Sequence, residues 1–341
     1  MRILVIADAV LPVPPAGYGG TERVIHILAR ELEQRGHSVD LIAKEGSRCY
    51  GGQLIRHRAP TKQYHSRAYR KALFQALSCL SARDVDVVHS FGRTDYLWGI
   101  YRTNKPLVLH FENPVCQQEL DDISRRRRER IHLIGVSRSQ MSNAESTIPV
   151  TIVHNATEFA ATPVVEKHRR RQYLAFLGRL TRNKGVDTAI QVALKTGYPL
   201  RIAGNIPHEP DSQYFFDQSI RPHLGRQIEW VGEISDREKP EFFSGALGLL
   251  FPIRWQEPFG IVIPEALAFG VPVIATPVAS TSELIKHGQT GFLSSTVDEM
   301  AACVPLLTTI DPDACRADAE ERFSPRALAD AVLNVYMQVS R

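Results

Sequence analysis

Short apolar runs alternate along this chain with longer segments whose apolar positions recur every three or four residues. In the first half, residues 3–7, 38–43, 85–88, 107–111, 133–136 and 151–153 read as strands. Their near-continuous apolar character is what parallel strands covered on both faces require. Between the first two lies residues 22–35, where Val24, Ile27, Leu28, Glu31 and Leu32 fall at helical spacing before Gly36, a natural helix stop. A strand, a helix and a strand in that order imply a right-handed parallel crossover, and hence a doubly wound sheet.

The pattern then restarts. Residues 173–177, 200–203, 228–230, 247–251 and 272–275 form a second strand set, with helices expected at 186–195, 239–244 and 264–269. Residues 157–172 carry no apolar periodicity and include the basic run 167–171, which marks them as a boundary. The expected organisation is α/β: a Rossmann-like domain at 1–156, a linker at 157–172, a second Rossmann-like domain at 173–323, and a C-terminal helix at 324–341. A chain of 341 residues suits two domains of roughly 150 residues each. Ligands of such sheets bind beyond the carboxyl ends of the strands, so the expected site is a cleft between the two domains.

Composition narrows the class. A content of 43% hydrophobic and 23% charged residues is that of an ordinary globular protein. No apolar run approaches the ~20 residues of a bilayer span, and the opening strand lacks the apolar core of a signal peptide. Five cysteines (Cys49, Cys79, Cys116, Cys303, Cys315) are odd in number and not closely paired, which suggests reduced thiols in a cytoplasmic protein.

The net charge of +4 hides an asymmetry: through Asn155 there are 22 Lys and Arg against 15 Asp and Glu, and beyond it 19 against 22. The densest basic cluster is residues 125–128 with Arg130. A solvated face is the default explanation; attraction to anionic lipid head groups or a phosphorylated acceptor is the alternative. Residues 67–80 raise the same choice. Tyr69, Leu73, Ala76, Leu77 and Leu80 share a helical face near Arg67, Arg70 and Lys71, which suits packing on the first sheet or a peripheral membrane contact. No aromatic-basic interleaving accompanies the charge, so no nucleic-acid partner is expected.

The strongest chemical signal is the stretch from Glu257 to Ala275. Two carboxylates, Glu257 and Glu265, are separated by a small-residue turn and a helix start. Gly260, Ile261 and Val262 can turn backbone N–H groups toward an anion, since a helix N-terminus carries unsatisfied donors and partial positive charge. The two glutamates can accept hydrogen bonds from neutral hydroxyls on either side of it. That combination fits a nucleotide-sugar, whose diphosphate lies between a ribose and a hexose. Arg179 offers a planar fork for phosphate oxygens and Lys184 a compact point charge, both directly after a strand of the second set. Arg182, between them, reads as an ordinary surface residue.

These cations make a metal unnecessary, and the D-x-D spacing at Asp84 and Asp86 opens an apolar strand instead of offering a carboxylate pair. Near the N-terminus Gly17 and Gly19 begin a G-x-G-x-x-G pattern that fails at Glu22. Gly19 and Gly20 can still bring backbone close to a phosphate or sugar.

Residues 257–265 resemble the E-x7-E signature of the family 4 glycosyltransferases, retaining enzymes of the two-domain GT-B type. Residues 178–185 (GRLTRNKG) look like the family's G-R-x-x-x-x-K-G element, residues 281–293 match the sequence that follows its E-x7-E helix, and residues 14–24 are similar to its Gly-rich first loop. The resemblance implies transfer of a hexose from a nucleotide-sugar, with UDP favoured, to a hydroxyl of a glycan, lipid-linked or small-molecule acceptor. It implies front-face attack without metal or other cofactor, in which positioning and charge stabilisation matter more than a strong base.

Glu257 would then hold donor-sugar hydroxyls with backbone help from Phe259, Gly260 and Ile261, and Glu265 the ribose. Contacts near Gly204 and Val231 would set the nucleotide. By resemblance His110 takes the place of a histidine directed at the donor sugar, while His89 and Glu112 are acceptor-side candidates in the first domain. The sequence departs from the family where a Pro-Asn-Gly-like turn gives way to His154-Asn155-Ala156-Thr157. Two other readings compete: a nicotinamide oxidoreductase, against which the broken glycine pattern argues, and a non-catalytic sugar-nucleotide-binding protein.

Overall fold

The computed structural model describes residues 1–8, 10–15, 17, 19–57, 75–78, 80–127, 129–142, 144–161 and 172–340. Most of the segment expected as an amphipathic helix over 67–80, most of the expected linker, Arg128 and Cys79 lie outside them. The chain forms two compact units, Met1–Ala156 with Pro325–Arg341, and Thr157–Ser324.

The first unit is built on a seven-stranded parallel sheet: β1 (Arg2–Ile6), β2 (Ser38–Lys44), β3 (Gly51–His57), β4 (Val87–Ser90), β5 (Leu107–Phe111), β6 (Ile131–Gly135) and β7 (Val150–Ile152), in spatial order β3-β2-β1-β4-β5-β6-β7. The order reverses between β1 and β4, so the carboxyl ends of these two strands open at a switch point. Strands β1, β4 and β5 are buried almost throughout, as their apolar runs require. Helix α1 (Gly20–Gln34) makes the first crossover, burying Val24, Ile27, Leu28 and Leu32. The C-terminal helix, Pro325–Ser340, packs on α1, β5 and β6 with Leu328, Val332, Val335 and Tyr336 inward. It is tied down by Arg35, which bonds Asp330 at 2.6 Å, and by Arg130, which donates to the Ser340 carbonyl at 3.2 Å.

The basic cluster divides. Arg125 and Arg126 close the exposed end of helix Gln117–Arg126. Arg127 departs from both expectations for this run, since it is neither a solvated charge nor a ligand-facing one. It is buried, and its guanidinium donates to the carbonyls of Glu129, Ile100, Lys105 and Arg130. Five N–H groups in a planar fork suit that task, and lysine could not replace them.

The second unit holds a six-stranded parallel sheet: β8 (Tyr173–Leu177), β9 (Leu200–Ala203), β10 (Ile228–Gly232), β11 (Ala246–Phe251), β12 (Val273–Ala275) and β13 (Gly291–Leu293), in spatial order β10-β9-β8-β11-β12-β13. Residues 157–161, expected to begin a linker, instead belong to this unit. They form a turn in which Phe159 packs on Phe269 at 5.0 Å between ring centroids. The start of the stretch is held to the domain by this ring contact and by the Thr157 N–H, which donates to the Phe323 carbonyl at 2.9 Å. Strands β8 and β11 are neighbours and parallel, so the loops that follow them leave the same edge side by side. That pairing places the candidate site.

Candidate functional site

In the second unit, the loop after β8 carries Arg179 and Lys184, and the loop after β11 carries Glu257. The two loops are sewn together by Arg254, whose backbone N–H donates to the Asn183 carbonyl at 2.8 Å and whose guanidinium bonds Asp187 at 3.0 Å. Gly185 makes the close approach work. It has φ of +73°, and a Cβ there would sit 1.9 Å from the Pro252 carbonyl oxygen. Only a residue without a side chain satisfies both conditions.

Lys184 Nζ consequently bonds Glu257 Oε2, which also accepts from Trp255 Nε1 at 2.8 Å. The ammonium lies 5.1 Å from the centre of the Trp255 ring. The second oxygen of Glu257, Oε1, has no partner among the described residues. The arrangement thus fixes a carboxylate by one oxygen and leaves the other to accept from a hydroxyl. Arg179 lines a cavity of about 580 Å³ together with Thr181, Asn183, Glu209 and Tyr214. Arg182 is exposed, as expected of a surface residue. It lines the same cavity with its guanidinium 4.8 Å from the centre of the Phe215 ring.

The turn after Glu257 takes the expected form. Gly260 has φ of +84°, and helix Val262–Ala268 begins directly behind it. The Phe259 carbonyl accepts from Ser280 Oγ at 2.7 Å, and the Gly260 carbonyl accepts from the Ile263 N–H at 2.9 Å. Both tie down the turn through its carbonyls. Glu265 sits on the helix and is 3% exposed. Its Oε1 accepts from Lys239 Nζ at 2.7 Å, while Oε2 has no partner among the described residues.

Lys239 is one residue that sequence reasoning missed. It also bonds Asp236 at 2.8 Å and opens helix Lys239–Ser244, where lysine is too common to stand out. Gly204 comes close to the backbone of Gly178, but both its polar groups are used. Its N–H donates to the Gly232 carbonyl at 2.8 Å and its carbonyl accepts from Trp230 Nε1 at 2.9 Å. Val231 is 37% exposed beside it.

In the first unit, Gly19 precedes α1 and Gly20 opens it. Arg23, unremarked in the sequence, reaches back to hold this loop, donating to the carbonyls of Gly17 at 2.7 Å and Gly19 at 3.2 Å.

His89 on β4 and His110 on β5 share one face of the sheet, because His89 pairs in register with Val108, two residues before His110. His89 Nε2 lies 3.3 Å from His110 Nδ1, and Phe91 stacks on both rings at 4.5 Å. His110 and Glu112 line a cavity of about 610 Å³, with Asp8, Arg93, Asp95 and Glu119 around its wall. His89 does not. It is fully buried behind His110, with Nδ1 2.7 Å from the Tyr336 hydroxyl, so its expected place on the acceptor side is corrected to one behind the wall. The rings meet because β4 and β5 are adjacent and both histidines occupy their inward positions.

Burial dominates the electrostatics here. His89 titrates well below the usual histidine range, because burial and then the neighbouring His110 oppose its charge. Burial alone pushes His110 down to about 3. Glu112 is pushed up to about 7 by burial, against the Asn155 hydrogen bond and helped by the charge of Glu22. Asn155 Nδ2 donates to Glu112 Oε2 at 2.7 Å, which gives the unusual His-Asn-Ala-Thr turn a function. His110 Nε2 stands 3.6 Å from Glu112 Oε1, beyond hydrogen-bond reach; with a neutral ring this is no ion pair. His110 Nε2, Glu112 Oε1 and Asn155 Oδ1 are buried without hydrogen-bond partners. Such orphaned atoms are costly and call for an explanation.

Among the described residues, no group of His, Cys, Asp and Glu gathers in metal-binding geometry, and no helix is long and apolar enough to cross a membrane.

Known proteins share this sequence pattern and this fold. Residues 18–155 match the family model described as Glycosyltransferase Family 4, and residues 160–310 that described as Glycosyl transferases group 1. A glycogen synthase from Mycobacterium tuberculosis is 27% identical over 207 residues, covering 56% of this chain and 49% of its own length. The chain spans about half the length of the curated relatives it matches. The sucrose-phosphate synthase of Thermosynechococcus elongatus superposes with a TM-score of 0.79 at 16% identity, over 99% of both chains. An Anabaena protein solved in complex with UDP gives a TM-score of 0.77 at 18% identity, over 99% of this chain and 100% of its own.

Proposed function

This chain belongs to the family 4 glycosyltransferases, with the GT-B type of fold, and we propose that it transfers a hexose from a nucleotide-sugar to a hydroxyl acceptor with retention of configuration. The observation that carries the reading is Glu257 held through Oε2 by Lys184 and Trp255 at the mouth of the Gly260 turn. The free Oε1 accepts from donor-sugar hydroxyls. Lys184, already close, and Arg179 neutralise the diphosphate as its bond to the anomeric carbon breaks. The N–H groups that open helix Val262–Ala268 add fixed dipoles that need no reorganisation during the reaction. Glu265, gripped by Lys239 through one oxygen, offers the other to the ribose.

A carboxylate engaged with ring hydroxyls cannot also attack the anomeric carbon, so front-face transfer is favoured over double displacement. In that route the departing phosphate oxygen takes the acceptor's proton. The paired cations perform the charge neutralisation that a divalent metal performs elsewhere, so the reaction runs without one. UDP is the favoured nucleotide, supported by the fold shared with a UDP-bound protein. The acceptor is a glycan, lipid-linked or small-molecule substrate, and the cavity that His110 and Glu112 line in the first unit is the candidate place for it.

A thermal-shift screen of UDP-, GDP- and ADP-sugars identifies the donor, because a ligand that binds only the folded state raises its stability. With that donor, Glu257→Ala and Arg179→Ala are each expected to lower turnover by ~10²-fold or more. Near-normal turnover in both variants would refute the assignment.

A further inference from the structure

The unpartnered Nε2 of His110 lies at the end of a buried hydrogen-bond chain whose direction can be assigned. Tyr336, on the C-terminal helix, is fully buried, and its hydroxyl has one hydrogen-bond partner among the described residues, His89 Nδ1 at 2.7 Å. Were that nitrogen the donor, the phenolic hydrogen would have no acceptor in the interior, which is costly. Tyr336 therefore donates, and His89 Nδ1 carries the lone pair.

The neutral His89 ring must then bear its hydrogen on Nε2, directed at His110 Nδ1 3.3 Å away. His110 Nδ1 becomes an acceptor in turn, and its single hydrogen falls on Nε2. That atom is buried and unpartnered, 3.6 Å from the equally unpartnered Glu112 Oε1. A ligand hydroxyl placed between them would accept from His110 Nε2–H and donate to Glu112, satisfying both groups at once. Phe91, stacked on both rings, keeps them from rotating out of line.

We propose that Tyr336 is a positioning residue which, through His89, fixes the tautomer of His110 and so presents its Nε2–H as a hydrogen-bond donor to a sugar hydroxyl. The tautomer stands on the geometry of two buried, neutral rings; the identity of the hydroxyl as a sugar's rests on the proposed function. A helix made from the last residues of the chain thereby sets the chemistry of a strand-end group it does not touch.

The test is ¹⁵N NMR of the histidine rings in the full-length protein. In the wild type, His89 and His110 are each expected to show a protonated Nε2 and an unprotonated Nδ1. His110 protonated on Nδ1 would overturn the proposal, and this measurement needs neither a variant nor any transferase activity. In Tyr336→Phe the His110 signals are expected to move toward a mixture of tautomers, and an unchanged His110 spectrum in a folded variant would also overturn it. With a donor in hand, the same variant is expected to lower kcat about tenfold while leaving the donor KM in place. Lost thermal stability with unchanged ring signals and kcat would assign Tyr336 a packing role and nothing more.

Discussion

Lys184 and Glu257 lie 73 residues apart in sequence and are bonded through Nζ and Oε2. Each makes the other useful: the carboxylate aims the ammonium, and the ammonium leaves the carboxylate one oxygen for a ligand. Lys184→Met and Glu257→Gln should therefore each lower kcat by ~10²-fold, and the double variant should be little worse than either, because groups acting as a unit are not additive. Steady-state assays of nucleotide release give the three ratios. A multiplicative loss would show that the two act separately.

Lys239 and Glu265 form the second pair, and both are nearly excluded from water. Removing one partner of a buried ion pair typically costs about 3–5 kcal/mol, because the other charge is left unpaired. Lys239→Met should be destabilised on that scale, whereas Lys239→Met with Glu265→Gln should recover most of the loss. Urea denaturation of the two variants decides between pairing and simple packing.

Gly185→Ala should destabilise the protein by more than about 2 kcal/mol, since the added methyl would meet a carbonyl oxygen and the backbone conformation disfavours any side chain. The displaced loop carries Lys184, so donor affinity should fall with stability. Thermal unfolding with and without the donor separates the two losses. Normal stability in the variant would mean that the Pro252 loop yields freely.

Glu112 should give stability a distinctive pH dependence. Its folded value of about 7 lies above the unfolded carboxylate value of 4.5, so the folded state binds the extra proton between them. Its contribution is present in full below the unfolded value and is lost as pH rises through 7. His89 and His110, whose values are lowered, act with the opposite sign and favour the folded state as pH rises through the ordinary histidine range. The clean comparison is with Glu112→Gln, which should gain stability relative to the wild type between pH 5 and 7.5, by on the order of 3 kcal/mol at most. Denaturation midpoints for both proteins across that range measure it, and parallel curves would disprove the shift.

The sheet frameworks were legible because buried parallel strands need unbroken apolar runs: Leu107–Phe111, Tyr173–Leu177 and Leu200–Ala203 fall where the pattern put them. Gly51–His57 was missed because it is an edge strand that opens on two glycines and carries polar residues. Helix Pro312–Phe323 was missed because its apolar residues share no face.

In the site, Arg179, Lys184, Glu257 and Glu265 stood out through spacing within short continuous segments. Lys239, Arg23, Asn155 and Tyr336 did not, since each acts through a partner that only the tertiary structure supplies. Charge density misled at Arg127, where a run of like residues hid one that caps carbonyls in the interior. His89 was judged by its strand end alone, and the ring in front of it is invisible in one dimension.

The first unit is discontinuous: its sheet is complete by β7, yet the helix that covers α1, β5 and β6 is made from the last residues of the chain. During synthesis, the part of α1 that meets this helix must wait for its cover until the whole second unit has emerged. A fragment ending at residue 156 would carry His89 and His110 but leave bare the surface that Leu328, Val332 and Val335 normally occupy. Any attempt to produce this half alone has to graft the final helix back onto it.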